Sequence, residues 1–224
     1  MRCFALIVAV VLFVPAGLFA DSTITIRTNA DALVLNATPT TNYGTWAWIG
    51  TRCQNADVVL SYLAFATNGT LPGGAMVTSA KLWLYDFSNS VGGALGTATD
   101  AVYRANSASW TEAGITWSSQ PGTLGGALSS KSLSSNAGAG WVSWDVTAGW
   151  ALKPQLSFVL KDTSGYSGAG NKYTEFYSKE QGQTYTPYLE VTYQGPTPEL
   201  PANALLGLSL VPMGLAWLRR RGKG

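Results

Sequence analysis

The 224-residue chain contains no histidine. That excludes Ser–His–Asp and Cys–His nucleophilic catalysis, and with them zinc sites built on imidazole. Cysteine is almost as scarce. Cys3 lies in an N-terminal apolar run and Cys53 stands alone, so no internal disulfide can staple the remainder. Residues 21–195 are long enough to bury a core without one. Charge is sparse at 12% of residues. Of the 14 Lys and Arg, five (Arg2, Arg219, Arg220, Arg221 and Lys223) sit at the two ends, and of the 12 acids only Glu199 does. Residues 21–195 therefore keep nine basic and eleven acidic groups, a net charge of −2. Nucleic-acid binding loses its electrostatic basis.

Long apolar runs are confined to the ends. Met1-Arg2, the apolar residues 3–14, then Pro15-Ala16-Gly17 and Ala20 have the three regions of a secretory signal peptide, cleaved after Ala20. At the other end, residues 196–201 form a Pro-rich linker, stiff because proline fixes φ and removes donors. Residues 202–218 carry only Asn203 and Ser209 as polar side chains, a stretch at the short limit for a transmembrane helix. The basic tail, residues 219–224, follows at once and belongs on the cytoplasmic side.

Between these ends, helix signals are missing. Gly, Ser and Thr recur between short alternating runs, the pattern of an all-β antiparallel sandwich in one domain, residues 21–195. Expected strands include Thr23-Ile24-Thr25-Ile26, residues 31–35, 62–65, 77–85, 141–147, 156–160 and 187–193. In residues 77–85, alternation points Leu82 and Leu84 to the core and Lys81, Trp83 and Tyr85 to the other face. Trp110-Thr111-Glu112-Ala113-Gly114-Ile115-Thr116-Trp117 reads as a tight loop and short strand, ended by Gln120-Pro121-Gly122. Residues 122–140 read as a loose, Gly/Ser-rich region. Asn36-Ala37-Thr38 and Asn68-Gly69-Thr70 are glycosylation sequons by pattern.

What the chain has in surplus is aromatic side chains: eight Trp and ten Tyr within residues 21–195. The C–H faces of a sugar pack on such rings while its hydroxyls need polar neighbours. Three groups of candidates follow: Trp83 and Tyr85 with Lys81; Trp46 and Trp48 around Tyr43; and a rim of Tyr166 and Tyr173 with Asn171 and Lys172. Trp110, Trp117 and Trp144 read better as packing. The acids Glu112, Asp145, Glu175 and Glu180 would be the stock for a glycosidase, but each has a structural reading, and no catalytic residue is assigned. No cofactor is required. A structural calcium ion, if present, would use Asp31, Asp100 or Asp162.

Taken in order, Asn42-Tyr43-Gly44, Ser61-Tyr62-Leu63-Ala64-Phe65, Val77 to Tyr85, the Trp110 to Pro121 stretch, Trp141 to Thr147, Phe176 to Glu180 and Pro187 to Tyr193 resemble the DNRLRE domain. That resemblance implies a jelly-roll-like β-sandwich related to disaggregatase repeats and to carbohydrate-binding modules of alginate-degrading enzymes. This chain has Leu60 and Ala64 where the family often carries basic residues, and Ser178-Lys179-Glu180 for its Ser-Arg-Glu. The C-terminal order of Pro198-Glu199-Leu200-Pro201, apolar helix, and Arg219, Arg220 and Arg221 resembles PEP-CTERM sorting tails. It implies membrane insertion and an exosortase-like protease as partner. Together these features lead us to expect an exported, surface-displayed, non-catalytic domain that retains matrix or cell-wall polysaccharide. The rival is a structural matrix or surface-layer subunit acting through protein contacts.

Overall fold

The computed structural model describes residues 21–88, 97–134, 138–167 and 172–195. The leader, linker, apolar helix and basic tail expected at the ends lie outside these residues, as do Asn171 and the sorting residues Pro198, Glu199, Pro201, Arg219, Arg220 and Arg221. No helix among the described residues is long and apolar enough to cross a membrane.

Eleven strands follow one another: β1 (Asp21–Arg27), β2 (Ala30–Leu35), β3 (Trp48–Gln54), β4 (Asp57–Phe65), β5 (Met76–Ser88), β6 (Thr97–Ala105), β7 (Thr123–Ser134), β8 (Gly140–Asp145), β9 (Leu156–Asp162), β10 (Thr174–Tyr177) and β11 (Tyr188–Gln194). Every strand pair is antiparallel, in the order β1-β11-β5-β10-β3-β4-β9-β6-β7, with β8 added to β5 and β2 to β4. All-β antiparallel structure is as the sequence led us to expect. The two faces are not independent sheets, however. In β3, Thr51, Gly50, Ile49 and Trp48 pair with β10, whereas Arg52, Cys53 and Gln54 pair with β4. A single strand thus passes from one half to the other, and the sheet is continuous and curled.

The core fills the inside of that curl. Leu82, Leu84, Trp144, Phe176, Leu189 and Val191 from one half pack on Leu63, Phe65, Val102, Phe158 and Leu160 from the other. Each such side chain contributes roughly 1.5–3 kcal/mol on leaving water. In β5 the alternation is strict, with Leu82 and Leu84 buried and Trp83 and Tyr85 half-buried on the opposite face. Trp144 donates its indole N–H to the Asp100 carbonyl at 2.9 Å, which satisfies its one polar atom inside the core.

Buried acids are the unusual feature of this interior. Asp100 and Asp162 are cross-strand partners of β6 and β9, at 0% and 1% exposure. Thr51 donates its hydroxyl to Asp100 Oδ1 at 2.6 Å, and Ser164 donates its backbone N–H and its hydroxyl to Asp162 Oδ1. The second oxygens of both, Asp100 Oδ2 and Asp162 Oδ2, lack a hydrogen-bond partner among the described residues. Burial pushes the Asp100 carboxyl up from 3.8 to about 7; the Thr51 hydrogen bond opposes this, and the charges of Asp162 and Asp86 add to it.

Two expectations fail. Residues 122–140 are not a loose region: they contain the twelve-residue β7, paired with β6 across a register shift between Val102 and Arg104. Its apolar residues are too few to alternate, and its exposed, Gly-rich surface hides the strand from any pattern. Residues 110–121 contain no strand. The Thr111 carbonyl accepts from the N–H groups of Gly114 and Ile115, and the Thr116 carbonyl from Ser119, so the segment is a succession of turns. It covers a second cluster on the outside of the sheet, in which Ile115 and Tyr62 are buried against Ala32, Val34 and Val159.

Candidate functional site

Four of the phrases that carry the family resemblance, those at Asn42–Gly44, Ser61–Phe65, Trp110–Pro121 and Phe176–Glu180, come together in space. Glu112 Oε1 accepts from the Asp31 backbone N–H at 3.1 Å, and Glu112 Oε2 pairs with Lys179 Nζ at 2.9 Å. Lys179 also pairs with Glu180, and its backbone N–H donates to Asp31 Oδ2 at 2.9 Å. Asn42 donates its side-chain amide to the carbonyls of Glu112 and Ile115, both at 2.7 Å. Gly44 is required there, because a Cβ would overlap the Glu112 carbonyl. Tyr62 donates its hydroxyl toward Pro121 O at 2.6 Å and Gln120 Oε1 at 2.8 Å, and Trp110 donates its indole N–H to Ser157 at 2.8 Å. Residues 110–121 are thus a clamp, and what they hold is the Asn42-Tyr43-Gly44 turn.

That turn sets the next residues in place. Trp46 donates its backbone N–H to the Tyr43 carbonyl at 3.2 Å, and Ser178 donates its hydroxyl to the Trp46 carbonyl at 2.6 Å. The rings of Tyr43 and Trp46 meet edge to face at 4.6 Å, and Trp46 lies 4.9 Å from Trp48. Trp46 remains 40% exposed. Beside it, at the corner where β3 leaves β4 for β10, lies a groove of about 260 Å³. Its walls include Trp46, Trp48, Tyr173, Arg52 and Glu175. Its floor includes Gly50, where a Cβ would come within 2.5 Å of the Thr174 carbonyl. The groove therefore combines aromatic surface with charged hydrogen-bonding groups, as binding a hydroxylated ligand demands.

Lys81, Trp83 and Tyr85 lie on the outward face of β5, as alternation predicts. The register places Tyr188 beside Trp83, Trp141 beside Tyr85, and Glu190 and Asp145 on either side of Lys81. The rings form one belt. Trp83–Tyr188, Tyr85–Tyr177 and Phe87–Tyr177 are near-parallel pairs, at interplanar angles of 13, 14 and 10° respectively. These rings spend much of their faces on each other, whereas Trp141, 37% exposed, keeps more of its surface open to solvent.

The third group does not form a rim. Tyr173 joins the groove wall, while Tyr166 bridges to Gln54 at the end of β3. Lys172 is only 4% exposed. Its backbone N–H donates to Gln54 Oε1 at 2.9 Å, its ammonium donates to Ser164 at 2.6 Å, and it lies 5.9 Å from the Tyr166 ring centroid. Lys172 is thus engaged within the fold rather than standing on an open rim. Sequence reasoning missed Arg52 at the groove and Trp141, Tyr177 and Tyr188 in the belt. Alternation in residues 187–193 sets Tyr188 on one face, but only the register with β5 shows that this is the face of Trp83.

The acids offered for a cation fall in two places. Asp100 and Asp162 belong to the buried pair described above, and Asp31 stands with Glu112 and Glu180, one oxygen of each lying within 4.8 Å of the others. Lys179 already bridges Glu112 and Glu180. Burial works against its ammonium, yet the hydrogen bonds to Glu180 and Glu112 outweigh it and raise its pKa. Burial raises Asp31 to about 8, opposed by the Lys179 backbone N–H.

A groove that joins aromatic rings to charged hydrogen-bonding groups is a surface suited to binding a hydroxylated ligand. Residues 22–193 match the family model described as carbohydrate-binding module family 96, and the chain belongs to that family. No curated protein matches the sequence.

Proposed function

We propose that this is an exported, surface-displayed and non-catalytic protein that retains matrix or cell-wall polysaccharide through the groove at the β3–β10 corner. The observation that carries this reading is the groove wall: Trp46, Trp48 and Tyr173 supply ring surface, and Arg52 and Glu175 supply hydrogen bonds. The belt of Trp83, Tyr85 and Trp141 offers a second contact on the outward face, next to Lys81. Family membership supports the carbohydrate class. A glycosidase needs two carboxylates ~5–9 Å apart across the bound sugar. Glu175 is the one acid among the groove-lining residues, and Lys179 engages Glu112 and Glu180 elsewhere. Export and surface display rest on the sequence of the two ends, which resemble a signal peptide and a PEP-CTERM tail. They imply transient anchoring by the apolar helix and an exosortase-like protease as partner. The DNRLRE resemblance, with its jelly-roll connectivity, agrees with the curled antiparallel sheet.

The test is a glycan array probed with the full chain, with Trp46→Ala/Trp48→Ala and Trp83→Ala alongside. Binding should fall about 30-fold or more in the double variant, the scale of losing an interface hot spot. Cooperative unfolding in urea should persist, because Trp46 and Trp48 lie outside both core clusters. An array silent toward every glycan would reject the reading. The rival reading, a structural subunit, draws on β7, a twelve-residue strand at the end of the sheet order with a mostly exposed face. Concentration-dependent assembly without glycan would favour it.

A further inference from the structure

We infer that the ligand is an uncharged polysaccharide. This rests on the carbohydrate reading above and specifies its substrate class from the charges around the groove and belt. Arg52, which lines the groove, is paired with Asp57 at 3.4 Å, so its charge is matched before any ligand arrives. Glu175 adds a negative group to the same groove. Along the belt, Lys81 lies between Glu190 on β11 and Asp145 on β8, each its cross-strand partner in register. Asp145 is held below its ordinary value mainly by hydrogen bonds from Thr147, with the Lys81 charge assisting, so it stays ionised. Arg27, opposite Tyr188 in register, donates to the Gln183 carbonyl at 2.6 Å, and its charge and that of Glu190 both act on Tyr188.

Arg52 and Lys81 thus each have a carboxylate neighbour and Arg27 is bonded to a carbonyl, and among the charged groups named here four acids (Asp57, Glu175, Glu190 and Asp145) stand against three bases. The whole of residues 21–195 has the same bias, at −2. A second depression, at Asn106, Ser107, Trp110 and Gln120, also joins a ring to hydrogen-bonding groups and has no charged lining residue. Leu60 and Ala64 explain why no cation replaces the missing ones. Leu60 packs against the second cluster and Ala64 is fully buried, so neither position opens onto the groove. A polyuronate would bring a line of carboxylates to a surface whose acids outnumber its bases, and like-charge contacts oppose such docking. A neutral chain meets no such cost, and its hydroxyls can both donate to Glu175 and accept from Arg52.

The experiment is a depletion assay with the full chain and bead-coupled polysaccharides: mannan, xylan, β-1,4-glucan and β-1,3-glucan as neutral probes, alginate and polygalacturonate as acidic ones. It is run in about 0.1 M and about 1 M NaCl, which shortens the Debye length from ~10 to ~3 Å. We expect retention on at least one neutral probe, changed less than about twofold by salt, and retention on the acidic probes at least about tenfold weaker. Preferential retention on alginate or polygalacturonate that collapses in high salt would overturn the inference while leaving a carbohydrate-binding protein. Failure to bind any probe would remove the carbohydrate reading, and the inference with it.

Discussion

Replacing Asp100 with Asn should abolish a defined part of the pH dependence of stability. Asp100 is wholly buried, and its Oδ1 accepts from the Thr51 hydroxyl. Burial raises its carboxyl from 3.8 to about 7. Between those values the unfolded chain has released this proton and the folded chain has kept it. The folded state therefore binds more protons, so stability is greatest below about pH 4, falls as pH rises to about 7 and is flat beyond. A displacement of this size is worth roughly 4 kcal/mol for one group. Asn keeps an acceptor for Thr51 and cannot ionise. Urea unfolding followed by tryptophan fluorescence, at several pH values from about 4 to about 8.5, measures the difference between the two proteins. Asp31, which is raised, and Asp145, which is lowered, are present in both and cancel in that difference. The variant should gain on the parent steadily between about pH 4 and 7, by a total of roughly 4 kcal/mol. Parallel profiles, with a constant offset across the range, would refute the reasoning.

Three further outcomes can be checked. Gly50→Ala puts a Cβ within 2.5 Å of the Thr174 carbonyl and must push β10 from β3; we expect a loss of about 1–3 kcal/mol in urea unfolding, together with weaker glycan retention because the groove floor moves. Lys179→Met leaves Asp31, Glu112 and Glu180 without their bridging cation. The loss should be about 1–2 kcal/mol, between the values for exposed and buried pairs. Millimolar calcium should raise the melting temperature of that variant and leave the parent unchanged, and equal responses would show that Lys179 does not occupy the cation position.

Much of the local structure is legible in the residues themselves. Alternation in 77–85 assigns Leu82 and Leu84 to the core and Trp83 and Tyr85 to the outside, because successive strand side chains must point to opposite faces. Trp144, read from the sequence as packing rather than binding, lies in the core, and Asp145 holds a backbone amide at its strand end, that of Thr147. The period of two says which residues share a face of one strand, and nothing about which strand lies beside it.

Everything at the groove depends on that second kind of information. Tyr188 meets Trp83 across more than a hundred residues, Glu112 meets Lys179 across nearly seventy, and β3 divides its pairing between two partners. Lys172 shows the same limit from the other side. In the sequence it stands among Gly, Asn and Tyr like a surface lysine; in the fold, Ser164 and Gln54 meet it in the interior. β7 has almost no apolar pattern of its own and is a strand because β6 offers it a ladder. The amino-acid sequence by itself determined the β character, the inward faces and the excess of aromatic rings. Register and curvature alone decided which rings gather at one corner, because those contacts join segments that no local periodicity relates.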